Sequence, residues 1–191
     1  MTDTCSRARR PDSLLAVNIE DLPRWEFADL GPVRDLVVAA ILAGAKTTTS
    51  GLALAYEREG TPFPTVGQRF AVVDSDGRPV AAIETVEVRL VRIGEIDLRH
   101  VLDDGDESIE QWRAAHEEYW HSTEMRRTLD DPTFTVDDDT VALAQRFRLA
   151  PVHTPESNTS AGHSPARRPP AINDLVRPLV DSAPAVCRTG S

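Results

Sequence analysis

The chain has 191 residues, two cysteines and a formal net charge of −10 at pH 7. Cys5 and Cys187 lie near opposite ends, so neither a disulfide framework nor a cysteine-based metal site has material to work with, which fits a reducing, cytoplasmic setting. The acidic excess falls in residues 21–150, which excludes a DNA duplex as a natural partner because duplexes are held largely through neutralised phosphates, and no apolar run approaches membrane-spanning length.

Residues 1–20 read as a flexible segment. Residues 151–191 are Pro, Ser, Ala, Thr and Arg with few large apolar side chains, too little to offset conformational entropy, so a disordered tail is expected there. One domain remains between them, at 21–150. Val33, Leu36, Val37, Ala40 and Ile41 recur at helical spacing, with Pro32 suited to the first turn and Gly44 to the stop, and predict a helix over 33–43. Residues 56–64 read as loop, with Gly60, Pro62 and Pro64 as breakers. Strands are expected over 70–74 and 80–90, joined by the turn signal Asp74-Ser-Asp-Gly77, with Val80, Glu84, Val86 and Val88 sharing the inward parity.

A second helix follows the acidic turn Asp103-Asp-Gly-Asp106, with Ser108 and Gln111 as a capping box and Ile109, Trp112, His116, Tyr119 and Trp120 as its inner face. The stretch 126–139 is expected to be irregular. Residues 140–149 close the domain as a strand with Val141, Leu143, Phe147 and Leu149 on one side. Helices and short strands in this order make an α+β fold.

Lys46 is the only lysine among the basic residues of an arginine-rich chain. It is either a chance survivor or a position that needs a neutral amine, which arginine cannot supply. Thr47, Thr48, Thr49 and Ser50 place four hydroxyls beside it, and hydroxyl plus base is the minimum for nucleophilic acyl transfer. An extended segment would set Lys46 and Thr49 about 10 Å apart on opposite faces, so their cooperation requires a turn. Of the acids, Asp106 suits helix capping, and Glu84 directed inward needs Lys46 or an arginine as partner. The acidic turn lacks the full ligand series of a calcium loop. His116 reads as a core or pocket-edge histidine with no second ligand at metal spacing, while Trp112 is either core or a surface on which a base could stack.

In combination and order, Ile41-Leu-Ala-Gly44-Ala-Lys46-Thr-Thr-Thr49, Pro64-Thr-Val-Gly67, Phe70-Ala-Val-Val-Asp74, Gly77-Arg-Pro79-Val, Gly105-Asp106-Glu-Ser108-Ile-Glu-Gln-Trp112-Arg-Ala-Ala-His116 and Gln145-Arg146-Phe147-Arg148-Leu149 resemble the ASCH family of the PUA-like superfamily. The resemblance implies a PUA-like β-barrel flanked by helices, with a cleft linked to RNA or nucleoside chemistry. Small bacterial amidohydrolases of the family remove the acetyl group of N4-acetylcytidine with a lysine, a threonine and a glutamate. The first two carry over to Lys46 and Thr49. The glutamate falls at Asp104, with Asp103 nearby, and aspartate is one methylene shorter, so the loop would have to move inward to reach Lys46.

The expectation is therefore an amide hydrolase for an acylated nucleoside or similar small molecule, with Lys46, Thr49 and Asp104 catalytic and Glu84, Trp112 and His116 lining the ligand site. No metal or organic cofactor is called for. The alternative is a non-catalytic module that binds a nucleoside or single-stranded RNA, with ribonuclease action as a third reading.

Overall fold

The computed structural model describes residues 17–28 and 31–153, and the expectations for the remaining parts of 1–20 and 151–191 lie outside these. The ends of the described region meet: β1 (Val17–Asn18) pairs in parallel with β7 (Val152–His153). After a 3-10 turn at Ile19–Asp21 comes β2 (Arg24–Trp25), then α1 (Pro32–Leu42) with Pro32 in its first turn. Gly44 reverses the chain at φ 70°, its N–H bonding the Ile41 carbonyl at 3.0 Å while that of Ala45 bonds Ala40 at 2.9 Å. This reversal turns the chain from α1 towards Lys46 and β3 (Thr48–Leu52).

From β3 the chain passes directly into α2 (Ala53–Glu59), which corrects the loop expected from residue 56. Ala, Leu, Tyr, Glu and Arg all tolerate a helix, and the first true breaker is Gly60, which ends α2 at φ 64°. The hairpin of β4 (Arg69–Val73) and β5 (Pro79–Arg92) turns where expected, with Gly77 at φ 74° and its N–H on the Asp74 carbonyl at 3.0 Å. A second 3-10 turn at Ile93–Glu95 leads to α3 (Leu98–Asp104), α4 (Ile109–Trp120) and α5 (Thr123–Thr128), then β6 (Val141–Ala150). Neither α3 nor α5 was expected.

The main sheet has the order β2-β4-β5-β6-β3, antiparallel except for the parallel pair β2 and β4. Among the described residues β2 and β3 remain its two edges, so the fold is α+β with an open mixed sheet, and the expected closed barrel is corrected. The amide of Thr47, just before β3, bonds the Asp103 carbonyl of α3 at 2.7 Å instead of another strand.

Helices cover both faces of this sheet. Phe27, Val38, Ile41, Phe70, Val72, Ile83 and Phe147 pack into one core, and Leu52, Val101, Trp112, Trp120, Leu129, Ala142 and Ala144 into the other. Strand alternation sends Ala142 and Ala144 to one side of β6 and Phe147 to the opposite one. Because both sides are covered, Ala142–Gln145 are buried consecutively, whereas Val141 and Leu149 of the expected inner face are exposed. A register shift between Thr85 and Glu87 also reverses the parity of β5, whose buried face before it is Ala81, Ile83 and Thr85, with Val80 exposed. Among the described residues no helix is long and apolar enough to cross a membrane.

Gly44 offers a direct test of the reversal that delivers Lys46. A Cβ there would meet nothing within 4 Å, so only the left-handed backbone demands glycine. Gly44→Ala should lower the unfolding free energy in urea by about 1 kcal/mol, with Gly44→Asn recovering part of the loss. Equal stability of all three proteins would show that the chain does not need this conformation.

Candidate functional site

Lys46 and Asp104 meet where the segment entering β3 passes the end of α3. That end is shaped by Gly105 at φ 107°, with the Gly105 N–H on Leu102 at 3.3 Å and the Asp106 N–H on Val101 at 3.2 Å. The Lys46 ammonium donates to Asp104 Oδ1 in a buried ion pair and also to the Asp104 main-chain carbonyl at 3.2 Å, where the α3 C-terminus favours a cation. Lys46 is 8 % exposed and Asp104 3 %.

The second carboxylate oxygen is taken by α4. Ser108 caps that helix, accepting the Gln111 N–H at 3.2 Å, so Asp106 is not the cap that its position suggested. Asp106 is instead buried, and its carboxylate acts electrostatically on Lys46. Trp112 Nε1 donates to Asp104 Oδ2 at 3.1 Å. His116 stacks on Trp112 with ring centroids 4.3 Å apart and gives its Nδ1 proton to the Trp112 carbonyl at 2.9 Å, which leaves Nε2 bare, 3.8 Å from Asp104 Oδ2. The inner face of α4 is thus Trp112, His116 and Trp120, while Ile109 and Tyr119 are exposed, contrary to expectation.

One turn earlier on α3, His100 faces β3. Asp97 caps the helix by accepting the His100 N–H at 2.9 Å, Thr48 Oγ1 donates to the His100 carbonyl at 2.8 Å, and Ser50 Oγ lies 2.8 Å from His100 Nε2. Sequence reading missed His100 because α3 was missed, although Asp97 followed by apolar Leu98, Val101 and Leu102 carries a helix-start signal.

The remaining expected site residues lie elsewhere. Thr49 pairs with Gln145 across β3 and β6, and alternation turns it to the sheet face opposite Thr48 and Ser50. No turn intervenes, since β3 is regular from Thr48. Glu84 is held by Arg69 at 3.0 Å and Arg148 at 2.7 Å, which keep its carboxyl below the usual range. Asp103 pairs with Arg146 at 2.6 Å.

Burial dominates the proton equilibria. It pushes the Lys46 amine down to about 8, against the pull of Asp106. His100 falls to about 4 through burial, assisted by Arg89 and Lys46, and His116 to about 3 through burial, assisted by Lys46 and His100. Both rings are therefore neutral at pH 7, and Lys46 acts electrostatically on both. Ligand atoms of Asp104, Asp106 and His116 lie within 4.8 Å of one another, a set that could hold a cation, but the Lys46 ammonium already supplies positive charge to Asp104.

The ASCH domain family model matches residues 23–150. This chain belongs to the ASCH domain family. Among solved structures, an ASCH domain from Lactobacillus crispatus JV V101 superposes with a TM-score of 0.58 at 19% identity, covering 66% of this chain and 78% of that one. A protein from Enterococcus faecalis V583 gives 0.57 at 21%, covering 74% and 86%. Both show the shared fold. No curated protein matches the chain.

The neutral imidazoles give this ASCH domain a measurable acid sensitivity. Their folded pKa values lie below the unfolded value near 6.5, so the unfolded chain binds more protons between about pH 6.5 and 4, and stability must fall as pH falls through that window. The loss should amount to about 2 kcal/mol for each ring between pH 7.5 and 5. Urea midpoints of the wild type and His116→Gln measured at both pH values should show a shallower fall in the variant. Identical slopes would mean that His116 takes up its proton in the folded state.

Proposed function

We propose that this protein is an amide hydrolase that removes the acyl group from a nucleoside or a similar small molecule, with an N4-acetylcytidine-like compound as the first substrate to try. The observation that carries this reading is Lys46, a buried amine seated on a buried carboxylate and brought down to about 8. Such an amine exchanges its proton close to physiological pH, the property required of a general base. A surface lysine that merely attracts phosphate needs neither burial nor an acid partner.

In this reading the neutral amine of Lys46 takes a proton from the attacking oxygen, and Asp104 orients the amine. The family motif offers Thr49 as the nucleophile, but β3 turns its side chain to the face opposite Thr48 and Ser50. Trp112 fixes the carboxylate from within the core, and the partly exposed His116 borders the substrate. A small, weakly charged substrate suits the surroundings better than a polyanion, because Arg146 is paired with Asp103 and Glu87, and Arg89 with Glu87 and Asp97.

Purified protein incubated with a panel of acylated nucleosides should release free base and acid, with kcat/KM rising as pH climbs towards about 8. Lys46→Arg retains charge but cannot lose its proton, so turnover should drop at least ~100-fold, in the range typical for loss of a general base. Thr49→Val removes a hydroxyl at nearly constant volume, whereas Thr49→Ser keeps it, so a nucleophilic Thr49 predicts loss in the first and activity in the second. Turnover that survives Lys46→Arg would sink the mechanism. A protein that binds nucleosides or single-stranded RNA but hydrolyses none of the panel would instead be a recognition module.

A further inference from the structure

We infer that Ser50 and His100 form a nucleophile–base pair, and that Ser50 is the residue that takes the acyl group from the substrate. The inference rests on the amide-hydrolase reading and replaces its attacking hydroxyl and the base of the attack step, with Lys46 kept for the hydrolysis step. Three observations support it. Ser50 Oγ stands 2.8 Å from His100 Nε2, within reach for direct proton transfer. His100 is 1 % exposed and held on a helix anchored at both main-chain groups of its own residue, the N–H by Asp97 and the carbonyl by Thr48. Ser50 itself is only partly buried, unlike His100.

A purely structural latch between β3 and α3 is the competing explanation. Thr48 already provides that latch through the main chain, and the Ser50 contact adds a bond to a ring nitrogen that docking does not need. Burial keeps the imidazole neutral down to about pH 4, so the base form is present throughout the physiological range. The pair also belongs to the same centre as Lys46. Ser50 and Lys46 both reach α3, on His100 and Asp104, which are one helical turn apart, and Lys46 acts electrostatically on His100.

The proton balance closes with these groups and water alone. Ser50 Oγ attacks the acyl carbon as its proton passes to His100 Nε2. The carbon–nitrogen bond then breaks, and the leaving nitrogen takes that proton, leaving an ester on Ser50. Water attacks the ester, giving its proton to the neutral amine of Lys46, and the expelled Ser50 oxygen recovers a proton from the resulting ammonium. The net reaction is amide plus water to acid plus amine.

A fluorophosphonate reagent, which phosphonylates activated serines with loss of fluoride, tests the pair without any nucleoside. Full-length protein is treated with it and the adduct located by peptide mass spectrometry. One adduct is expected, on Ser50, absent in Ser50→Ala, formed at least tenfold more slowly in His100→Asn, and retained in Thr49→Val. Ser50→Ala should melt like the wild type yet turn over no acylated nucleoside, so the outcome does not depend on whether His100→Asn folds. An adduct on Thr49, no adduct at all, or undiminished turnover by Ser50→Ala would overturn the inference. Labelling of Ser50 in a protein that hydrolyses no acylated nucleoside would uphold the pair and remove the substrate reading instead.

Discussion

The buried contact between Lys46 and Asp104 is the constraint around which this domain is arranged. Withdrawing two charges from water costs several kcal/mol for each ion, and the attraction between them compensates only when the remaining valences are filled. Here they are filled from three parts of the chain. The segment after α1 brings the amine, the end of α3 brings both the carboxylate and a main-chain carbonyl, and α4 brings the Trp112 N–H to the second oxygen. None of these groups could be withdrawn singly without stranding a charge in the interior. The left-handed reversals at Gly44 and Gly105 follow from that demand, since each turns the chain at the point where one partner must be presented.

The same contact sets the electrical character of its neighbourhood. His100 and His116 lie buried near an ammonium, and both effects disfavour a second positive charge, so the two imidazoles stay neutral over a wide range of pH. A neutral ring keeps one unprotonated nitrogen that can accept a hydroxyl proton, while a charged one has none. Burial of Lys46 therefore bears on Ser50 through His100. The other face of the sheet contrasts with this. Gln145 and Thr85 bond each other at 2.8 Å in a buried position beside Thr49, without an ionised partner.

How much of this could be read from sequence depended on how local each determinant is. Pro32 and Gly44 bracket α1, Asp74 to Gly77 turn the hairpin, and Ser108 caps α4, each through bonds spanning a few residues, and all three were legible. The family resemblance also supplied the pairing of Lys46 with Asp104. The helices α3 and α5, of seven and six residues, offer barely two turns of periodicity and went unseen. With α3 went His100 and the true setting of Asp106, because without the helix the acids read as a free turn. Sheet closure, the register shift at residues 85–87 and the double-sided burial of β6 depend on long-range pairing that no window of sequence contains.

Asp104 holds the lysine with its main chain as well as its side chain: the carbonyl of Asp104 is 3.2 Å from the same amine that its carboxylate holds. The backbone thus adds a second acceptor at the last turn of a helix whose C-terminus already favours a cation. Lys46 completes the approach by burying its aliphatic stem. An arginine there would keep the charge but could not give up its proton. The one lysine of an arginine-rich chain therefore stands at a place where its ability to lose a proton sets it apart.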